Sequence, residues 1–138
     1  MIRLGLDVGE RIIGCAVCDP EGRIAVPCGA LKRTHLRRDM AALRDLAREK
    51  NVREIVVGMP LMPDGSRGRR AEETEQFVRI LRGFIRIPVR YQDERYSTQE
   101  AEERLREAGC SMEERRQRVD EMAAAIILQD FLNCQPIL

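Results

Sequence analysis

Tryptophan is absent, and the aromatics amount to two Tyr and three Phe among 138 residues. A surface that stacks successive planar ligands on aromatic platforms is therefore not expected. No stretch approaches the roughly 20 apolar residues of a membrane-spanning helix, so a helical membrane protein is excluded. Met1-Ile2-Arg3-Leu4 enters a strand pattern at once, without the layout of a secretion signal, and the expected compartment is the cytoplasm. Net charge is also scarce: 24 basic against 23 acidic residues leave +1. With no overall positive field, contact with a polyanion must rest on clustered basic residues. Only Lys32 and Lys50 are lysines, an arginine bias that genomic base composition explains as readily as function. The single histidine, His35, has no second His or Cys in metal-ligand spacing and reads as incidental. Five cysteines at irregular spacing (Cys15, Cys18, Cys28, Cys110, Cys134) make no disulfide framework. A three-residue offset along a strand points Cys15 and Cys18 to opposite faces, which predicts buried structural thiols rather than half a zinc site.

What is present is 43% hydrophobic residues, enough for one core, and residues 1–138 read as a single domain. Ile2, Leu4, Leu6 and Val8 alternate with period two, Ile12 to Cys18 is a second apolar run, and Arg23 to Leu31 a third. Tight turns at Gly9-Glu10 and Asp19-Pro20-Glu21-Gly22 make these an antiparallel meander. From Leu36 the spacing turns helical, with Thr34 as cap and Asn51 as stop. Ile55-Val56-Val57 has the pattern of a parallel strand covered on both faces. A loop from Pro60 to Gly68 leads into a helix marked by Phe77, Leu81 and Phe84, then a strand from Val89 to Tyr91. Ser97-x-x-Glu100 has the form of a capping box for a helix with an Ala101, Leu105, Ala108 stripe, ended by Gly109. Ser111-x-x-Glu114 caps a short turn, and a last helix from Val119 to Leu132 carries Asp120 in its first turn. The order βββαβαβαα predicts one mixed α/β sheet with helices on its faces.

In such a sheet ligands gather beyond the carboxyl ends of the parallel strands. Asp7 ends the first strand, Asp93 and Glu94 end the last, and Asp120 lies on a helix able to pack back toward that edge. Crowded carboxylates need a counter-charge, and hard oxygen donors suit Mg²⁺ or Mn²⁺. Two such ions roughly 4 Å apart support phosphodiester cleavage without a Ser or Cys nucleophile. Taken singly, Asp7 is more readily a turn residue and Asp120 a helix-dipole acid, and Asp93-Glu94-Arg95 has an alternative as a solvated ion-pair cluster. The basic side offers Arg67, Arg69 and Arg70 beside Ser66 in the glycine-containing loop, then Arg95, and Arg115, Arg116 and Arg118 ahead of Asp120. These form a positive rim of the kind that meets a phosphate backbone, or else the solvated faces of helices whose Glu72, Glu73 and Glu75 offset them.

Four motifs in order, Leu4-Gly5-Leu6-Asp7-Val8-Gly9-Glu10-Arg11, Val56-Val57-Gly58-Met59-Pro60 with Asp64-Gly65-Ser66, Asp93-Glu94-Arg95-Tyr96-Ser97-Thr98, and Asp120-Glu121-Met122-Ala123-Ala124, resemble the YqgF family. That family is associated with Holliday junction resolution and with pre-16S ribosomal RNA maturation. The resemblance spans almost the whole chain and implies an RNase H-like fold with a five-stranded mixed sheet in the order 3-2-1-4-5. By position it implies Asp7, Glu94 or Asp93, and Asp120 as catalytic metal ligands, with Arg11 joining the nucleic-acid-binding residues. Related resolvases place an acid at the end of the fourth strand, where this chain reads Gly58-Met59-Pro60. Ile12 and Cys18 also depart from the commoner residues of the family. The implied activity is a metal-dependent endonuclease acting on precursor rRNA or branched DNA, the latter favouring a symmetric homodimer. Two other readings remain: a non-catalytic RNA-binding factor in ribosome assembly, and a sugar-kinase or actin-like ATPase, for whose two lobes the chain is too short.

Overall fold

The computed structural model describes residues 1–134. Strands β1 (Arg3–Val8), β2 (Ile12–Cys18) and β3 (Ala25–Lys32) form the meander, followed by α1 (Leu36–Glu49), β4 (Glu54–Met59), α2 (Arg69–Phe84), β5 (Val89–Asp93), α3 (Ser97–Glu107) and α4 (Met112–Asn133). The sheet order is β3-β2-β1-β4-β5, with β4 parallel to both β1 and β5. This is the RNase H-like arrangement that the resemblance implies.

Period-two alternation divides the core between the two sheet faces. Leu4, Leu6, Ile13, Cys15, Ile55 and Val57 pack with Met40, Leu43, Phe77 and Leu81 under α1 and α2. Ala16, Cys18 and Val56 pack with Ala124, Leu128 and Phe131 of α4 on the other face. α3 lies outside α4, through Ala101 against Ala123 and Ile126. Cys15 and Cys18 thus serve different cores, as the strand offset requires. Burial first, with smaller contributions from Cys28 and Glu121, pushes the Cys15 thiol up to about 12. A disulfide reagent at pH 8 should therefore modify exposed Cys134 promptly and leave Cys15 untouched until the protein unfolds. Equal rates for the two, read by peptide mapping, would contradict this packing.

Several local expectations are corrected. No glycine or proline lies between Ser111 and Asn133, so the short turn and the last helix are one 22-residue helix. Its capping box does form, Glu114 N–H donating to Ser111 Oγ at 3.2 Å and Ser111 N–H to Glu114 Oε1 at 3.1 Å. Asp120 consequently sits two turns inside α4 rather than in a first turn. Ser97 is the first residue of α3 and caps nothing. Ala108 is exposed, outside the buried stripe of Ala101 and Leu105. Thr34 does not cap α1; instead its N–H donates to Asp39 Oδ1 at 3.0 Å. Asn51 does stop α1, with φ of 58°. β3 starts at Ala25 because the N–H groups of Arg23 and Ile24 both donate to Asp19 Oδ1 at 2.8 Å, closing the preceding turn.

β3 is an edge strand. Pro27 has no N–H, the Ala25 N–H donates to Gln129 Oε1 (2.9 Å), and the Gly29 N–H to Glu121 Oε2 (2.7 Å). The β2–β3 register also shifts between Cys15 and Ala16. At the opposite end of the parallel strands from Asp7, buried Glu54 accepts bonds from Arg3 Nε (2.6 Å) and Arg90 Nε (2.8 Å).

Candidate active site

Strand alternation turns Asp7 toward α4, on the same face as Gly5. In the β1–β2 register Asp7 lies opposite Gly14. A Cβ at Gly14 would stand 1.9 Å from the Asp120 carbonyl oxygen. The missing side chain is thus what lets the α4 backbone settle on β2 and bring Asp120 beside Asp7. A second glycine does the same for the other acid. A Cβ at Gly58 would meet Glu94 Cγ at 3.0 Å and Glu94 Cβ at 3.1 Å, because Glu94 arches over the end of β4. The end of β4, which carries no acid of its own, is therefore covered by a carboxylate from the residue that follows β5. Its main chain follows suit, Glu94 N–H donating to Met59 O at 3.1 Å.

Asp7 is 7% exposed. Burial above all, then the charges of Glu94 and Asp120, push its carboxyl up to about 7, while Arg70 opposes the rise. Protonated Asp7 donates to Glu94, whose carboxyl is itself raised by burial despite Ser97, Arg70 and Asp7. Ser97 Oγ donates to Glu94 Oε2 at 2.9 Å. Half-buried Asp120 is likewise raised by desolvation. It acts on Asp7 through charge rather than a hydrogen bond.

Asp93 behaves differently. Burial pulls its carboxyl up, but the Arg95 N–H, Nε and Nη2 groups together hold it below the ordinary value. It anchors the turn that leads into α3, while Glu94 turns inward. Glu94→Gln is accordingly expected to remove nuclease activity, whereas Asp93→Asn leaves it within about tenfold, measured as kcat/KM on one substrate. Similar losses from both would mean that Asp93 shares the centre.

Among the described residues, no three His, Cys, Asp or Glu side chains are already gathered at metal-binding distances. The donor chemistry nevertheless fits a hard divalent ion: three carboxylates, no competing nitrogen or sulfur, and a buried acid that for want of counter-charge keeps its proton near neutrality.

The arginines divide. Arg67 pairs with Glu75, and Arg69 Nε with Glu73 Oε1 at 3.1 Å. Arg95 holds Asp93, Arg118 Nε lies 3.8 Å from Glu121 Oε1, and Arg115 donates to Cys110 O. Among the described residues Arg116 reaches only Met112 Sδ. Arg70 alone among the candidates acts on both Asp7 and Glu94. The Ser66 N–H and Oγ both donate to Asp64 Oδ1, and the Gly65 N–H to Met62 O, so those groups stabilise their own loop. A cleft of about 1010 Å³ opens beside the site, on the α1/α2 side of the sheet end. Arg11, Arg69, Arg70, Lys32, Arg33 and His35 line it. The contributions of Ser97, Gly14 and Gly58 escape sequence reasoning. The only available signal was a glycine inside each of two otherwise apolar strands, which marks close approach by another element.

The model of the RuvX family, described as Holliday junction resolvase, matches residues 1–134. A Syntrophomonas wolfei protein named "Putative pre-16S rRNA nuclease" is 42% identical over 94% of this chain and 92% of its own length. A protein of the same name from Symbiobacterium thermophilum is 44% identical over 95% and 91%. Among solved structures, RuvC of T. thermophilus in complex with a Holliday junction substrate superposes with a TM-score of 0.60 at 16% identity, covering 96% of this chain and 93% of that one. The fowlpox virus resolvase with its Holliday junction DNA gives 0.53 at 9% identity over 96% and 99%. These two likenesses concern the fold; the sequence matches concern descent, and by them the chain belongs to the RuvX family of Holliday junction resolvases.

Proposed function

We propose that the protein is a divalent-metal-dependent endonuclease that hydrolyses phosphodiester bonds in structured nucleic acid, with the 5′ end of precursor 16S rRNA as its substrate. The observation that carries this reading is the buried Asp7 carboxyl, held against Glu94 and within the field of Asp120 at the carboxyl end of the sheet. Asp7, Glu94 and Asp120 are the residues that would hold Mg²⁺ or Mn²⁺. A bound pair of such ions supplies an activated water and a sink for charge on the leaving oxygen. Ser97 fixes the Glu94 carboxylate, and Arg70 receives a non-bridging phosphate oxygen while moderating repulsion among the acids. Arg11 and Arg69 line the adjoining cleft and meet flanking phosphates; Ser66, Arg67, Arg95, Arg115, Arg116 and Arg118 lie outside that cleft and would join an outer rim only by exchanging their present partners for phosphate. Phosphate contacts of this kind read backbone shape, which is why precursor rRNA is weighed against a four-way junction, on which a symmetric homodimer would make paired cuts. Five unpaired cysteines and no helix long and apolar enough to cross a membrane, among the described residues, support a cytoplasmic site of action.

The test is cleavage of precursor rRNA and four-way-junction DNA with Mg²⁺, Mn²⁺ or EDTA, comparing wild type with Asp120→Asn. Metal-dependent cutting of the rRNA, lost in the variant, is the expected result. If both proteins bind and neither cuts either substrate, the assembly-factor reading replaces this one.

A further inference from the structure

A second cavity, of about 540 Å³, lies at the other end of the α1/α2 layer, where the parallel strands begin. Arg44 and Arg48 come from the last turns of α1, Arg53 from the approach to β4, and Arg86 from the segment between α2 and β5. No acidic residue lines it, in a chain whose net charge is only +1. Arg48, Arg53 and Arg86 have no ion-pair partner among the described residues, and Glu54 at this pole is already engaged by Arg3 and Arg90. The Nε of Arg44 is buried without a hydrogen-bond acceptor, its carboxylate neighbour Asp45 standing 3.8 Å away. An orphaned buried donor among uncompensated guanidinium groups is costly unless an anion completes it. Guanidinium forks match phosphate oxygens in geometry as well as charge.

We propose that this cavity binds backbone phosphates of the nucleic-acid substrate, anchoring it away from the cut; this rests on the nucleic-acid reading above. The 14 residues of α1 run from the cleft beside the carboxylates to this cavity, roughly 21 Å. At about 2.8 Å of rise per base pair in the A-form helix of RNA, that is roughly seven base pairs beyond the site. A substrate with a long duplex arm reaches both ends of the helix layer, and a short one reaches only the cleft. The cavity therefore selects substrates by arm length.

Binding is measured by anisotropy in an Asp7→Asn background, which prevents cutting, with RNA duplex arms of about 4 and about 16 base pairs, each closed as a hairpin, at several salt concentrations. The expected result is that the long duplex binds about tenfold tighter than the short one. Arg48→Ala/Arg86→Ala should abolish that advantage, lower the salt slope for the long duplex by about two, and leave the short duplex within twofold. Arg48→Lys/Arg86→Lys, which keeps both charges, should restore the slope and separates loss of contact from misfolding. An unchanged slope in the alanine variant, an equal loss on both duplexes, or occupation by inorganic phosphate that leaves long-duplex binding unaffected would each overturn the proposal. If wild type cuts no nucleic acid at all, the nuclease reading fails while these slopes still decide the fate of the cavity.

Discussion

Asp7→Asn should give a protein that is both inactive and more stable. Activity is expected to fall on the order of a thousandfold or more, since asparagine keeps one oxygen but loses the negative charge and the second oxygen that would hold the ion. Stability moves the other way. The Asp7 carboxyl titrates near 7 in the folded chain against an ordinary value of 3.8. The folded state therefore binds more protons than the unfolded state between those limits. The Asp7 contribution to wild-type stability, read in EDTA as the difference from the asparagine variant, should be full below about pH 4, fall as pH rises to 7, and then level off. Asparagine keeps the shape, can donate to Glu94 as the protonated acid does, and never ionises. At pH 8 the gain is expected to be about 2–4 kcal/mol, or roughly 5–15 °C in Tm. Adding Mg²⁺ should raise the Tm of wild type and not of the variant, because only an ion that binds the folded chain stabilises it. Denaturant melts at pH 5 and pH 8 with and without the ion check each arm. A variant destabilised at pH 8, or a pH-independent difference between the two proteins, would show that Asp7 is not held against its neighbours as described.

Gly14→Ala should prevent the native packing of α4. The added methyl would lie 1.9 Å from the Asp120 carbonyl oxygen and 2.3 Å from its carbon, and these are backbone atoms that cannot swing aside. Either β2 bends or the helix lifts along the stretch that also seals Ala16, Val56 and Leu128. A loss of about 3–5 kcal/mol is expected, enough to unfold a protein of marginal stability. Gly83→Ala is the matched control. Beyond its own stretch of helix nothing lies within 4 Å of its added carbon, it sits in the last turn of α2, and the change should be neutral or stabilising by up to about 1 kcal/mol. Equal Tm values for the two variants would refute the close approach of α4 to β2. Should Gly14→Ala remain folded, its metal affinity should still fall, because Asp120 rides on the displaced turn.

Much of this architecture was legible in the residue pattern. Alternation at Leu4, Leu6 and Val8 and the apolar run Ile55-Val56-Val57 identify strands because a pleated sheet makes burial periodic. Helical spacing from Leu36 to Ala47 does the same for α1. What the pattern could not carry was local competition for hydrogen bonds. Thr34, Ser97 and Ser111 have equivalent cap chemistry, yet only Ser111 caps, since Asp39 and Glu94 claim the other two. The carboxylates themselves were readable as candidates, but the choice between Asp93 and Glu94 depended on where Arg95 lies. Arg95 stands two positions from Asp93, but the sequence does not say that its guanidinium turns back onto that acid and leaves Glu94 to face Asp7. Likewise the arginine runs read as one rim, whereas ion pairs with Glu73 and Glu75 set Arg69 and Arg67 apart from Arg70. These partners stand two to eight positions apart, and the residue pattern does not say which of several nearby acids each guanidinium takes.

The outer strand β3 has a bearing on how two copies of this protein can meet. Its backbone presents a proline at one position and spends two further N–H groups on the side chains of Gln129 and Glu121. A strand offered by another molecule would find too few donors along this border to continue the sheet. Growth by strand addition into ribbons or fibrils is thus blocked on the β3 side, including in crowded or heat-stressed cells, where exposed Ile24 and Val26 would otherwise make it inviting. Any pairing of two copies on this side must be made by side chains from one surface to another, which ties self-association to the residues displayed there rather than to the generic adhesiveness of an open sheet.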